Sequence, residues 1–454
     1  MTQQVWRKGR IILAGLFGVA MLALIGLSGC GTNGYDNPSS EAVTTKTATA
    51  LIQAADLKQW GDAGLVNRAG GYDRVVILDM STTTANGANA YDTVGHIPGA
   101  QSISAGPAAF YETRAEGPMD ATGQMVCSGA TIDALIQKAG IDANTTIVLT
   151  TNSTSALDMT RAYATFRYWG FPKNRIKVLQ GGNAGWTAAG YALTTNVPTI
   201  QKSTYGVAQN GTTTVNTDMR VSLSEMIAYV KGIVAGNAGN VYILDTVRPA
   251  NPGVFSTQDL IAPATPKVYT PFDGYVKGSY GFPLSSVITG ATFKTADEIK
   301  AAVSAAFSST STIGDANRDS AKTFITMCRA GNNASQAYFV LDGIAYYNSN
   351  VDIKWYDGSL GQWNLCASKD HLALNGTNAG GKLAVGSIWD TTSLMDRLRW
   401  NIDRGLTIVD YSSRVYGVEP SFVDGNQLET ADKAYRSAVS SSTGGATTGG
   451  GGGC

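Results

Sequence analysis

A single cysteine, Cys328, leaves the apolar run TFITM and enters the segment Arg329-Ala330-Gly331-Asn332-Asn333-Ala334, ahead of a helical pattern that begins near Ser335. A loop before a helix N-terminus gathers unpaired N–H groups. Together with the positive end of the helix, they stabilise an anion held at the sulfur. The expectation is a thiol pushed below its free value of about 8.5 and ionised at neutral pH, which is a nucleophile. Gly331 suits a turn in which main-chain amides converge. Asn332 or Asn333 could cap the helix, and Arg329 could present its guanidinium fork to an oxyanion. The plainer alternative for Cys328 is a small buried hydrophobe at a strand end.

The rest of the composition narrows the chemistry. The chain has 454 residues with five cysteines, two histidines (His96 and His371) and no C-x-x-C pair. A zinc-type ligand set is therefore not expected, no metal or cofactor is assigned, and the cysteines are too few to staple the fold. Lys+Arg and Asp+Glu balance at 34 each, and charged residues make up 15% of the chain. No basic field exists to attract nucleic acid.

The elements that must position Cys328 occur twice. A helical stretch precedes RVVILDM, GATIDALIQKAGI precedes TTIVLTT, and MTRAYATFRYWGF precedes RIKVLQGG; later, LSEMIAYVKGIV precedes NVYILDT, TADEIKAAVSAAF precedes TFITM, and ASQAYFVLDGIAYY precedes DIKWYDGS. Buried strands alternating with helices predict an α/β fold of two domains, each a parallel β-sheet flanked by helices on both faces. The Thr-, Asn- and Gly-rich segment between the copies reads as a linker, with the boundary near Asn210.

The motifs ILDM, YDTVGHIPGA and VLQGGNAGW of the first copy, and ILDTVRP, CRAGNNA and YDGSLGQW of the second, resemble those of the two-domain rhodanese-like thiosulfate sulfurtransferases. That resemblance spans roughly residues 51–366 and implies double displacement: Cys328 accepts sulfane sulfur from thiosulfate or a similar donor and passes it to cyanide, a thiol or a protein acceptor. It also implies an anion contact at Arg329 and a loop formed by residues 328–334. The first copy has Thr151 or Asn152 where a nucleophilic cysteine would stand, so it resembles the inactive partner half of the tandem family. Ala330 and Asn333 depart from the residues usual in thiosulfate-type loops. Asp245 and Arg248 stand where the family has an Asp and an Arg; they form an internal salt bridge, or Arg248 clamps an anion. His96 reads as a turn histidine tying its loop to the sheet.

At the N-terminus, Arg7, Lys8 and Arg10 precede an apolar run that closes on Ser28-Gly29-Cys30, the pattern of an export signal with a lipid-modified cysteine. The expected layout is signal 1–29, flexible tether 30–50, first domain 51–200, linker 201–218, second domain 219–366, and an extension 367–454 that wraps onto the second domain. The chain is thus expected outside the cytoplasm, lipid-anchored to the cell envelope, and on an outer rather than an inner membrane. Cys127 and Cys366 could pair with each other. Cys454, on a Gly-rich tail, could accept the persulfide, join another chain, or be an incidental thiol.

Overall fold

Continuous apolar runs become the central strands of two parallel sheets. The computed structural model describes residues 43–70, 73–82, 87–103, 105–207, 215–237, 239–248, 267–268, 270–307, 322–371, 381–408 and 416–443. Cys30, Asn210 and Cys454, which the sequence singled out, lie outside the described residues.

The first half runs β1 (Leu51–Ile52), α1 (Ala54–Asp62), β2 (Arg74–Asp79), β3 (Gln101–Ser102), β4 (Tyr111–Glu116), β5 (Met119–Val126), α2 (Gly129–Lys138), β6 (Thr145–Thr150), α3 (Leu157–Tyr168) and β7 (Ile176–Leu179). Strands β1-β7-β6-β2-β3 make a sheet in that order with every pair parallel. Every residue of β2 and of β6 is buried, as expected of strands covered on both faces.

The second half runs α4 (Leu223–Val234), β8 (Val241–Asp245), β9 (Phe272–Val276), β10 (Ser279–Gly281), α5 (Ala296–Ala306), β11 (Thr323–Met327), α6 (Asn332–Tyr338), β12 (Asp352–Trp355) and α7 (Ser359–Trp363). Its sheet order is β10-β8-β11-β12, again parallel throughout. In each half an Asp-ended strand pairs with the strand that feeds the loop, Asp79 opposite Thr150 and Asp245 opposite Met327. Helix α3 packs on α6 of the other half and is buried on nearly all sides, which places the polar Asp158, Thr160 and Arg161 inside the protein.

Two features depart from the expected layout. Residues read only as the approach to Cys127 form the antiparallel hairpin β4–β5, whose end at Val126 binds the second half through Val126 N–H to Asp357 Oδ2 (2.9 Å). The extension divides between the halves. Its strand β13 (Met395–Trp400) pairs with β9, but α8 (Gln427–Thr443) docks on the first half through Arg114–Asp432 (2.6 Å), Tyr168–Asp432 (2.8 Å) and Tyr435–Asp133 (2.8 Å). The polar partners of α8, Arg114 on the hairpin, Tyr168 on α3 and Asp133 on α2, all belong to the first half, which explains the direction of the wrap.

The hairpin, the second half and α8 meet at Arg220. Its fully buried guanidinium binds Glu116 (2.7 Å), Asp357 (2.9 Å) and Glu429 (3.1 Å). Three carboxyls crowd this cation, and burial pushes the Glu429 carboxyl up to about 7. Because the folded value lies above the unfolded one, the stability this group contributes is present below its ordinary carboxyl value and is lost as pH rises through about 7. Urea unfolding at about pH 5 and about pH 8 is therefore expected to show a smaller loss with rising pH in Glu429→Gln than in the wild type. Equal losses in both proteins would remove Glu429 as the cause.

Candidate functional site

Cys328 follows β11 and is 2% exposed. Gly331 adopts φ +79°, and a Cβ at this position would run into the Asp357 carbonyl, so the turn takes only glycine. Helix α6 begins at Asn332, earlier than the expected start near Ser335, with Gly331 as its cap residue and no side chain capping it. The expected asparagine caps are not formed. Asn332 Nδ2 donates instead to Gln124 Oε1 (3.3 Å) in the first half, and Asn333 Oδ1 accepts from Gln336 Nε2 (3.0 Å). The amides of Ala330 and Ala334 are left to hydrogen-bond the sulfur.

Ser359, in the turn opening α7, completes this cradle. Its Oγ accepts the Cys328 N–H (3.0 Å), donates to the Tyr356 carbonyl (2.8 Å) and lies 3.8 Å from Sγ. The residue holds φ +48°, a left-handed conformation that a side chain adopts only when its surroundings impose it. Sequence reasoning holds Ser359 only as part of the motif YDGSLGQW and assigns it no role.

The expectation of a thiol below its free value is corrected. Burial, with Asp245 adding to it, pushes the Cys328 thiol up, against the opposite pull of the two amides and Ser359. The sequence displayed the donors but not the desolvation that outweighs them.

Arg329, Ala330, Asn332 and Asn333 are half-buried at the rim of the loop, while Gly331 and Ala334 are buried. Arg248 is held by protein groups: Nη1 donates to the Val276 carbonyl (3.2 Å) and Ser279 Oγ (3.0 Å), Nη2 binds Asp396 (2.6 Å), and the guanidinium lies over Tyr275 (5.1 Å). The salt bridge expected with Asp245 is made instead to Asp396 from the extension, while Asp245 Oδ1 accepts the Val247 N–H (3.0 Å) at its own strand end. This leaves Arg248 tied to the scaffold of the loop, not poised as an anion clamp.

The corresponding loop of the first half satisfies itself. The Asn152, Ser153, Ser155 and Leu157 amides donate to the hydroxyls of Ser81, Thr151, Ser153 and Ser155. No thiol stands there, and these donors are already engaged by side chains. His96 is buried and stacked on Tyr91 (3.7 Å), with Nδ1 3.0 Å from the Tyr91 carbonyl and Nε2 3.1 Å from that of Asn196. His96 thus ties its turn to Tyr91 and to the segment at Asn196, not to the sheet as expected. Cys127, Cys328 and Cys366 are all free, so the pairing of Cys127 with Cys366 is not made. His371 lies 2.9 Å from Asp390 and 2.9 Å from Thr392 Oγ1, a polar cluster in the extension that the sequence did not reveal.

Residues 59–189 match the family model of the rhodanese-like domain. The chain is 24% identical over 277 residues to the sulfur carrier protein TtuD of Thermus thermophilus, covering 60% of this chain and 83% of that protein. It is 27% identical over 202 residues to the "Putative thiosulfate sulfurtransferase" of Mycobacterium leprae, covering 43% of this chain and 62% of that protein. The crystal structure of the Tum1 protein from Saccharomyces cerevisiae superposes with a TM-score of 0.50 at 17% identity, covering 70% of this chain and 96% of that one, a likeness of fold. The chain carries a rhodanese-like domain of parallel sheet and flanking helices, and its homologues are of the sulfurtransferase kind.

Proposed function

We propose that this protein is a sulfurtransferase that moves sulfane sulfur from thiosulfate, or a similar donor, through a Cys328 persulfide to a thiophilic acceptor. The observation that carries this reading is the convergence of the Ala330 and Ala334 amides and the Ser359 hydroxyl on one thiol. Such donors offset negative charge on the sulfur, both as thiolate and as persulfide. The Cys328 thiol first loses its proton to solvent. The thiolate then attacks the outer sulfur of thiosulfate, the donor's S–S bond breaks, and sulfite leaves with the bonding electron pair. Cyanide, a thiolate or a protein acceptor next attacks the outer sulfur of the persulfide, and Cys328 departs as the thiolate. Arg329, beside Cys328 at the half-buried rim, supplies positive charge for the departing sulfite.

One observation favours a second reading, a persulfide carrier without rapid turnover: Cys328 is 2% exposed and its thiol is pushed up by burial, both of which slow repeated attack. Similarity to a sulfur carrier protein supports the same reading. Given thiosulfate and cyanide, the full-length chain is expected to release many equivalents of sulfite and thiocyanate. One equivalent with a persistent adduct would make it a carrier, and no uptake from any sulfur donor would end both readings.

The basic residues and apolar run ahead of Cys30 support export and lipid anchoring to the envelope. Labelling of expressing cells with tritiated palmitate is expected to mark the wild type and not Cys30→Ala; equal labelling of both would remove the anchor.

A further inference from the structure

We infer that Arg161, delivered by α3 from the first half, is a positioning residue for the anionic sulfur of Cys328; the inference deepens the sulfur-transfer reading and rests on it for its purpose. The half whose corresponding loop lacks a cysteine then contributes a charge to the loop that has one.

The guanidinium is fully buried. Its Nη2 donates to the Gln124 carbonyl (3.0 Å), whereas Nε and Nη1 have no hydrogen-bond partner. It lies over the rings of Trp355 (4.6 Å) and Tyr111 (5.5 Å). Two of these neighbours also hold the cysteine loop. Trp355 Nε1 donates to the Gly331 carbonyl (3.0 Å), and the Gln124 side chain accepts from Asn332 (3.3 Å). Arg161 is thereby packed into the same framework that shapes the turn after Cys328.

A buried cation with two unpaired nitrogens is costly unless negative charge lies within reach. Burial lowers this guanidinium to about 10, so it remains a cation at neutral pH, and the groups whose charge reaches it are Asp357, Cys127, Cys328 and Tyr111. Asp357 is already divided between Arg220 (2.9 Å) and the Val126 amide (2.9 Å). The Cys127 thiol is pushed up to about 12 and stays neutral, and Tyr111 presents its ring to the guanidinium. Cys328 is the group of this set whose charge must change in the proposed reaction. Around its sulfur, Asp245 opposes the anion, while the Ala330 and Ala334 amides and Ser359 favour it, with Arg329 adjoining in the chain; the charge of Cys328 in turn reaches Arg161. In a water-poor surrounding a buried cation acts more strongly than it would in solvent.

The test is the pH dependence of Cys328 labelling by methyl methanethiosulfonate in the full-length chain, with the site located by peptide mass. Arg161→Gln and Arg161→Met remove the charge, and Arg161→Lys keeps it. Both neutral variants are expected to move the labelling midpoint upward by about one pH unit, slowing labelling near neutrality roughly tenfold, and the lysine variant to stay close to the wild type. An unmoved midpoint in a folded neutral variant would overturn the inference. So would a lysine variant displaced as far as the neutral ones, or failure of both neutral variants to fold while the lysine variant folds. Labelling needs no sulfur donor, so the expected shift in a chain that transfers no sulfur would refute sulfur transfer alone. Normal transfer with an unmoved midpoint would refute the role of Arg161 alone.

Discussion

Cys328→Ala is expected to take up no sulfur from thiosulfate and to release no sulfite above the uncatalysed background, while melting close to the wild type. The first part follows from the lack of a substitute nucleophile among the described residues. Cys127 and Cys366 are fully buried and their thiols are pushed up by that burial, to about 12 for Cys127, and neither sits in a loop of converging amides. The second part follows from size. The change removes one sulfur atom from a nearly closed position and leaves the Cys328 amide bonded to Ser359, so a cost of about 1 kcal/mol is expected, typical of a small core truncation. Intact-mass measurement after thiosulfate, with peptide mapping of any adduct, reads the first part, and thermal melting reads the second. A sulfur adduct of wild-type stoichiometry in the alanine protein would move the chemistry to another residue.

Arg220→Met is expected to destabilise the protein by about 3–5 kcal/mol, the range for removing one partner from a buried ionic cluster. The methionine fills much of the space but leaves Glu116, Asp357 and Glu429 facing one another without a cation, all three having been within 3.1 Å of the guanidinium. Protonation of the carboxyls relieves part of that repulsion, so the loss should be smaller in acid than near neutrality. Urea unfolding of the two proteins at about pH 5 and about pH 8 measures both effects. A loss under about 1 kcal/mol at both pH values would mean that water enters the cluster and that Arg220 does not join hairpin, second half and α8. Because Asp357 also accepts from Val126 and is followed closely by Ser359, loosening this cluster is expected to reach the Cys328 cradle as well.

Much of the framework was legible in the sequence because it is written locally. RVVILD and TFITM are apolar runs of strand length, the Asp-ended strands and the Gly331 turn are set by a few neighbouring residues, and the alternation with helical patterns implies parallel pairing. Even locally the helix start was placed too late, because Gly331 serves as the cap residue and frees both asparagines for other bonds.

What only the tertiary structure decided is the environment of each charge. Arg248 was read with its neighbour Asp245, yet it pairs with Asp396, 148 positions away. Arg161 resembles an ordinary helix residue until α3 is seen packed between the halves, and Ser359 resembles an ordinary turn residue until β11 and β12 align side by side. The ionisation of Cys328 was misread for the same reason. Strand, turn and helix preferences arise from a residue and its chain neighbours, whereas desolvation and ion pairing depend on every atom that surrounds a group, and around Cys328 those atoms come from both halves of the chain.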